Sequence, residues 1–294
     1  MGESAAAEAS RPAGRRTLRR AAIALGSDPQ LAVSIAMIFV MAAAILGAGL
    51  LTSANPTAGD IVNRLLPPSW AHPFGTDQLG RDVFARVLYG GRISVPAAIV
   101  VVLFGATFGT ALGAMAGSGG RLVDEVVMRI TDVVLAFPVI VLAMAVSAAL
   151  GASLVNGVIA LGAVWWPAYV RVCRGMILEL REKGYVIAAR AAGRSRLAVL
   201  LRVILPNVIP ALSVMAAVDV GRAILNFSIL SFLGLGVRPP VPEWGSMVAS
   251  GVEVMDQWWV ATFPGLAILV VVFAFNLLGD SVRDALDPWV SGRR

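Results

Sequence analysis

Residues 185–207 read YVIAARAAGRSRLAVLLRVILPN and carry Arg190, Arg194, Arg196 and Arg202. Apolar stretches long enough to cross a bilayer lie on both sides of this basic, alanine-rich segment. It is therefore a connection between two membrane spans. Moving outward, the runs 31–51, 93–117, 133–170 and 258–279 contain no charged residue. A bilayer core needs about 20 apolar residues of helix. Composition agrees: 58% of the 294 residues are hydrophobic and 14% charged, against roughly 45–50% and 25% in soluble domains. Mean hydropathy is +0.81.

The expected fold is all-α, a polytopic membrane protein with six transmembrane helices near 31–52, 93–117, 123–149, 152–172, 204–235 and 258–280. The organisation that follows is a cytoplasmic tail over 1–30, a first transmembrane helix over 31–52 and an external loop over 53–92. A five-helix core over 93–283 contains the cytoplasmic segment 174–203, and a cytoplasmic tail spans 284–294. GRRTLRR ahead of the first run resembles the start of a signal peptide. The run of 21 residues exceeds the usual apolar region of about 7–15, so a retained helix is expected. With the N-terminus inside, the cytoplasmic segments hold 18 of the 24 basic residues and the external ones 5. That bias places both termini in the cytoplasm.

Several functions are excluded. A net charge of +6 reflects basic cytoplasmic loops and contact with membrane lipid, and no stacking platform for nucleic acid accompanies it. Cys173 and His72 are the only residues of their kinds, too few for a disulfide or a metal cluster. No phosphate-binding G-x-x-x-x-G-K-[ST] occurs, so the chain does not hydrolyse ATP itself. No catalytic constellation is present, and a non-enzymatic role is expected.

Spacing gives local readings. Leu79, Val83, Val87 and Leu88 lie near helical periodicity, which predicts an amphipathic helix over 77–89 at the outer membrane surface. Gly105, Gly109, Gly113 and Gly117, four apart, predict close approach of a second helix. Pro138, Pro167 and Pro264 lie within spans, where they mark kinks. In the basic segment, Ala188, Ala189, Ala191 and Ala192 offer short side chains to a groove. Gly193 supports a chain reversal and Ser195 can cap a second helix. Spacing alone leaves open whether the segment docks on a soluble partner or touches lipid phosphates. Asp219 and Arg222, three apart in the fifth span, share a helix face, and Asn226 extends it. The pair is either self-neutralising or part of a path that meets charged solute.

AARAAG at 188–193 followed by ILPN at 204–207 resembles the EAA motif of ABC importer permeases. HPFGTDQLGRDVFARVLYGGRIS at 72–94, DVVLAFP at 132–138, LSFLGLGVRPPVPEWGSM at 230–247 and FPGLAI with FNLLGDSVRDALDP from 263 onward extend the likeness. Over roughly 60–290, in one register, the sequence resembles the C-type permease of dipeptide, oligopeptide and nickel importers. Two positions depart: the motif's glutamate falls at Ile187, and the usual histidine falls at Arg202.

The resemblance implies an ABC type I importer permease of the bacterial inner membrane. Tyr185, Ala188, Ala189, Arg190, Ala192, Gly193 and Arg194 would couple to an ATPase. Partners would be a homologous B-type permease, two ATP-binding subunits and an external solute-binding protein. ATP and Mg would be bound by the ATP-binding subunits, and this chain would hold no cofactor. Peptides, nickel chelates, glutathione and opine-like compounds are all solutes of such systems. A secondary transporter is the alternative class; it would show repeat symmetry and mid-membrane acids, and Asp219 is the one convincing acid at that depth.

Overall fold

The computed structural model describes residues 29–286. The expected tails at 1–30 and 284–294 lie outside the described residues apart from their innermost few. Among the described residues the chain is all-α, with one isolated bridge between Thr76 and Asp82. The helices are α1 (Pro29–Leu46), α2 (Ala48–Leu51), α3 (Val83–Ser118), α4 (Arg121–Leu135), α5 (Val139–Leu150), α6 (Leu154–Leu180), α7 (Gly184–Ala191), α8 (Arg196–Val199), α9 (Leu205–Phe232), α10 (Trp244–Val252) and α11 (Trp259–Leu286).

Four helical stretches are long and apolar enough to cross a membrane: α1, α3, the run Arg196–Phe232 and α11. The pair α4 and α5 makes a fifth if it is counted as one span. The helix at the remaining expected position is α6. Its 27 residues extend about 40 Å at 1.5 Å each, although Trp165, Trp166, Pro167 and Tyr169 dilute its apolar character.

The third expected span, 123–149, is two helices bent by 88°. Pro138 stands at the N-cap of α5; it lacks an N–H and disfavours helical backbone at the residue before it. The bend is held from the side. Arg174 donates from Nη2 to Asp124 at 2.7 Å and from Nε to the other carboxylate oxygen, while Arg171 donates to Asp132 at 2.7 Å. These bonds tie α4 to α6.

The helix expected over 77–89 starts at Val83 instead and continues unbroken through α3. It is not a surface element, because Val83, Ala85, Val87 and Leu88 are buried in the protein. The charges between them are buried too. Asp82 caps α3 by accepting from the Ala85 N–H at 2.7 Å and meets His72 Nδ1 at 2.8 Å. Asp77 accepts from Arg81 at 2.7 Å, and Arg86 donates to the Pro56 carbonyl at 2.8 Å. Two indoles stitch the loop to the second half of the chain: Trp244 donates to the Val87 carbonyl at 2.8 Å and Trp259 to the Thr76 carbonyl at 3.2 Å. Glu243, fully buried, caps α10 through the N–H groups of Gly245 and Ser246 and accepts from Ser94 on α3. Burial pushes its carboxyl up from the ordinary range, and those two N–H groups oppose the shift.

The most extensive helix–helix contact joins α3 and α6. The glycine ladder lies in it, as its spacing predicts. A Cβ at Gly105 would come 2.8 Å from Trp165, one at Gly109 2.4 Å from the Trp166 carbonyl oxygen, one at Gly113 2.8 Å from Cys173 and one at Gly117 2.9 Å from Ile177. Only hydrogen fits at the first three contacts without moving an indole or a backbone, since a Cβ at Gly113 would also come 2.8 Å from the Val170 carbonyl oxygen. Gly109→Leu is accordingly expected to destabilise the detergent-solubilised protein by at least the ~1–3 kcal/mol typical of overpacking, read as a lower unfolding temperature. Gly175→Ala, where nothing lies within 4 Å, serves as the control and should be neutral or stabilising.

Candidate functional site

The basic turn is built as its residues suggest. α6 ends at Leu180, and the backbone turns through Arg181–Lys183 into α7. Val186 anchors α7 in the protein core, and Ala189 packs partly against that core. Tyr185, Ala188, Arg190, Ala192 and Arg194 are exposed. Gly193 has φ +80° and reverses the chain. Ser195 then caps α8 by accepting from the Ala198 N–H at 3.3 Å. Ile187, in the position of the motif's glutamate, is 53% exposed. Of the seven residues singled out here, Ala189 thus belongs to the inner side of the helix and the other six to its open side or to the turn.

Behind the turn is a cleft of about 480 Å³, lined among others by Gly117, Ile177, Arg181, Arg190, Arg196 and Leu200. Arg181 pairs with its neighbour Glu182 at 3.2 Å. Beyond α8 the helix widens into a π stretch, Leu200–Ile204, before α9 begins. Pro206 cannot donate the α-helical bond to Arg202, and the Leu205 N–H reaches back to the Leu200 carbonyl instead.

The second cluster lies within the spans. Asp219 on α9 is buried, and its carboxylate accepts from the Tyr169 hydroxyl of α6 at 2.9 Å and from Arg222 at 3.3 Å. Asn226 donates to the Arg222 backbone carbonyl at 2.8 Å, so it follows the same helix face without joining the ion pair. The pairing of Asp219 with Arg222 is legible from their spacing. Tyr169 is not, because a tyrosine within WWPAY reads as one more aromatic; only its place opposite the buried Asp219 marks it out. Among the described residues, no group of three His, Cys, Asp or Glu side chains could hold a metal ion.

With this geometry in hand, comparison with known proteins identifies the chain. Residues 109–292 match the family described as binding-protein-dependent transport system inner membrane component. The chain belongs to that family. Relatives agree along most of the permease. It is 45% identical over 271 residues to the probable D,D-dipeptide transport system permease protein DdpC of Escherichia coli, covering 92% of this chain and 91% of that one. It is 43% identical to the dipeptide transport system permease protein DppC of Alkalihalophilus pseudofirmus, over 82% and 80% of the two chains. It is 46% identical to the glutathione transport system permease protein GsiD of Pectobacterium atrosepticum, over 75% and 74%. The chain is thus a polytopic inner-membrane permease component.

In this permease the Tyr169 bond has a measurable role. An unpaired charge at membrane depth costs about 2.5–3.5 kcal/mol on insertion scales, so Asp219 depends on both of its partners. Tyr169→Phe removes one hydrogen bond to a charged group, worth about 1.5–3 kcal/mol, and should lower the unfolding temperature. In an Asp219→Asn background, where Arg222 has already lost its acid, Tyr169→Phe should cost less than it does in the wild type. An equal cost in both backgrounds would show that the bond does not hold Asp219.

Proposed function

We propose that the chain is one of two transmembrane subunits of an ATP-driven importer of peptides or similar small solutes, and that it couples to an ATPase through α7. The observation that carries this reading is the open face of α7. Tyr185, Ile187 and Ala188 stand exposed beside a glycine turn, on a permease of a binding-protein-dependent system. A short helix anchored by Val186 and bare on its other side suits a cleft on a soluble subunit. Small residues there permit close approach, and Arg190 and Arg194 supply charge-assisted donors where the motif's glutamate is replaced by Ile187.

In this reading the second transmembrane subunit is a B-type homologue, two ATPase subunits bind ATP and Mg, and an external solute-binding protein delivers the solute. This chain contributes no cofactor. Closure of the ATPases moves α7, and with it α9, which carries Asp219, Arg222 and Asn226 beside the path. Both termini and α7 lie in the cytoplasm, on the side favoured by the basic residues. The relatives' names favour peptides over nickel chelates or opine-like solutes. A glutathione permease among them keeps a peptide-like thiol compound within the same reading.

The test is made on the assembled transporter. Ala188→Trp adds bulk on the open face of α7, and Gly193→Val strains a turn at positive φ. Each variant is expected to insert and co-purify with the B-type subunit, yet to lose solute-stimulated ATP hydrolysis by about tenfold or more, as blocked docking of even one hot-spot residue would. Full stimulation in both variants would sink the coupling assignment. Ala189→Trp is less informative, because Ala189 packs inward. Orientation is checked separately. Cys173 is buried, so Arg194→Cys in a Cys173→Ala background presents the only reachable thiol. A membrane-impermeant maleimide should label it in inverted vesicles. Labelling in intact cells would reverse the topology.

A further inference from the structure

We propose that Arg222 is the group in this permease that recognises the carboxylate of a passing solute, with Asp219 and Tyr169 as positioning residues that aim it. The proposal rests on the importer reading above and names the solute chemistry of that path.

The asymmetry of the pair carries the inference. The Asp219 side chain is 6% exposed and that of Arg222 66%. Both Asp219 oxygens are occupied, Oδ2 by the Tyr169 hydroxyl and Oδ1 by Arg222 Nη1. The carboxylate is therefore sealed in the α6–α9 contact, and the group presented outward is the guanidinium. Arg222 lies 10 residues before the end of α9 at Phe232, about 15 Å along a helix. Arg222 therefore sits inside the run Arg196–Phe232, which is long and apolar enough to cross a membrane. A charged side chain open to lipid at that depth is disfavoured, and such residues face an aqueous path or a partner.

Of the five N–H donors of a guanidinium, one is directed at Asp219 at 3.3 Å. Among the described residues no other carboxylate pairs with Arg222. The remaining donors keep the fork that matches a carboxylate in two parallel bonds. Peptides, the solutes that the relatives' names share, each end in a carboxylate. Asp219 also tempers the site. A lone arginine in a low-dielectric path would hold an anion too firmly to release it. A pre-paired one offers directional hydrogen bonds with little net field, which suits passage through a site that must be entered and left.

The experiment compares the wild-type complex, reconstituted with its B-type subunit, ATPases and binding protein, with Arg222→Gln and Arg222→Lys. The probes are L- and D-dialanine and their C-terminal amides, each at a concentration that saturates the binding protein. Preference of the binding protein itself is common to all the variants. The acid-to-amide ratio of maximal uptake therefore isolates the path. Arg222→Gln is expected to lower that ratio about tenfold, the scale of one charge-assisted hydrogen bond, and Arg222→Lys to restore part of it. Asp219→Asn with Arg222→Gln, which removes both charges, should lower the ratio equally and carries the test should the single variant assemble poorly.

An unchanged ratio overturns the proposal. So does a ratio that stays fixed while less B-type subunit co-purifies, since Arg222 would then be bonded to that subunit. A wild-type complex that hydrolyses ATP yet imports none of the probes overturns the peptide-importer reading itself, a result distinct from the first two.

Discussion

The glycine face of α3 against α6 is the contact on which the rest of the permease depends. In a bilayer, lipid tails are as apolar as leucine, so helices are held by close packing and hydrogen bonds more than by burial of apolar surface. Gly109 and Gly113 let the backbone of α3 approach the carbonyls of Trp166 and Val170. α6 then serves as the central post. One side of it carries Arg171 and Arg174, which hold α4. Tyr169 reaches α9. Its far end leads directly into α7. A change in the α3–α6 spacing would be felt in all three places.

The end opposite α7 is fixed by a different device. Buried charges there are paired or hydrogen-bonded, as burial requires, and several of their partners come from segments distant in sequence. Arg86 bonds to Pro56, Glu243 to Ser94, and Trp244 to Val87. The loop before α3 is thus part of the folded body. Helix ends on this side are tied to one another by these bonds, whereas α7 meets the core through Val186 and Ala189.

These two ends differ in how much of them the sequence declares. The glycine ladder, the Gly193 turn, the Ser195 cap and the Asp219–Arg222 pairing each follow from a local rule that needs no partner to be known. Tyr169, the sealed state of Asp219 and the burial of Arg81, Asp82 and Arg86 do not. Charged residues at helical spacing read as a solvated face unless their distant partners are visible. Pro138 announces a break, but an 88° bend also requires Arg171 and Arg174 to draw α4 aside, and nothing near residue 138 foretells that. Ala189 reads as part of a docking surface because alanines on both sides of α7 look alike in sequence.

The π stretch at Leu200–Ile204 keeps the two sides of the helix in step. A π turn takes in an additional residue, whereas each residue in an α-helix advances the screw by about 100°. The wider turn absorbs that residue, so α9 keeps the facing it would have in a run one residue shorter. The same residue forced into plain α-helix would rotate α9 by that angle. Asp219 would leave Tyr169, and Arg222 would turn toward another neighbour. The facing of the ion pair is therefore protected some fifteen residues earlier, where Pro206 denies Arg202 its usual donor and the Leu205 N–H reaches back to Leu200.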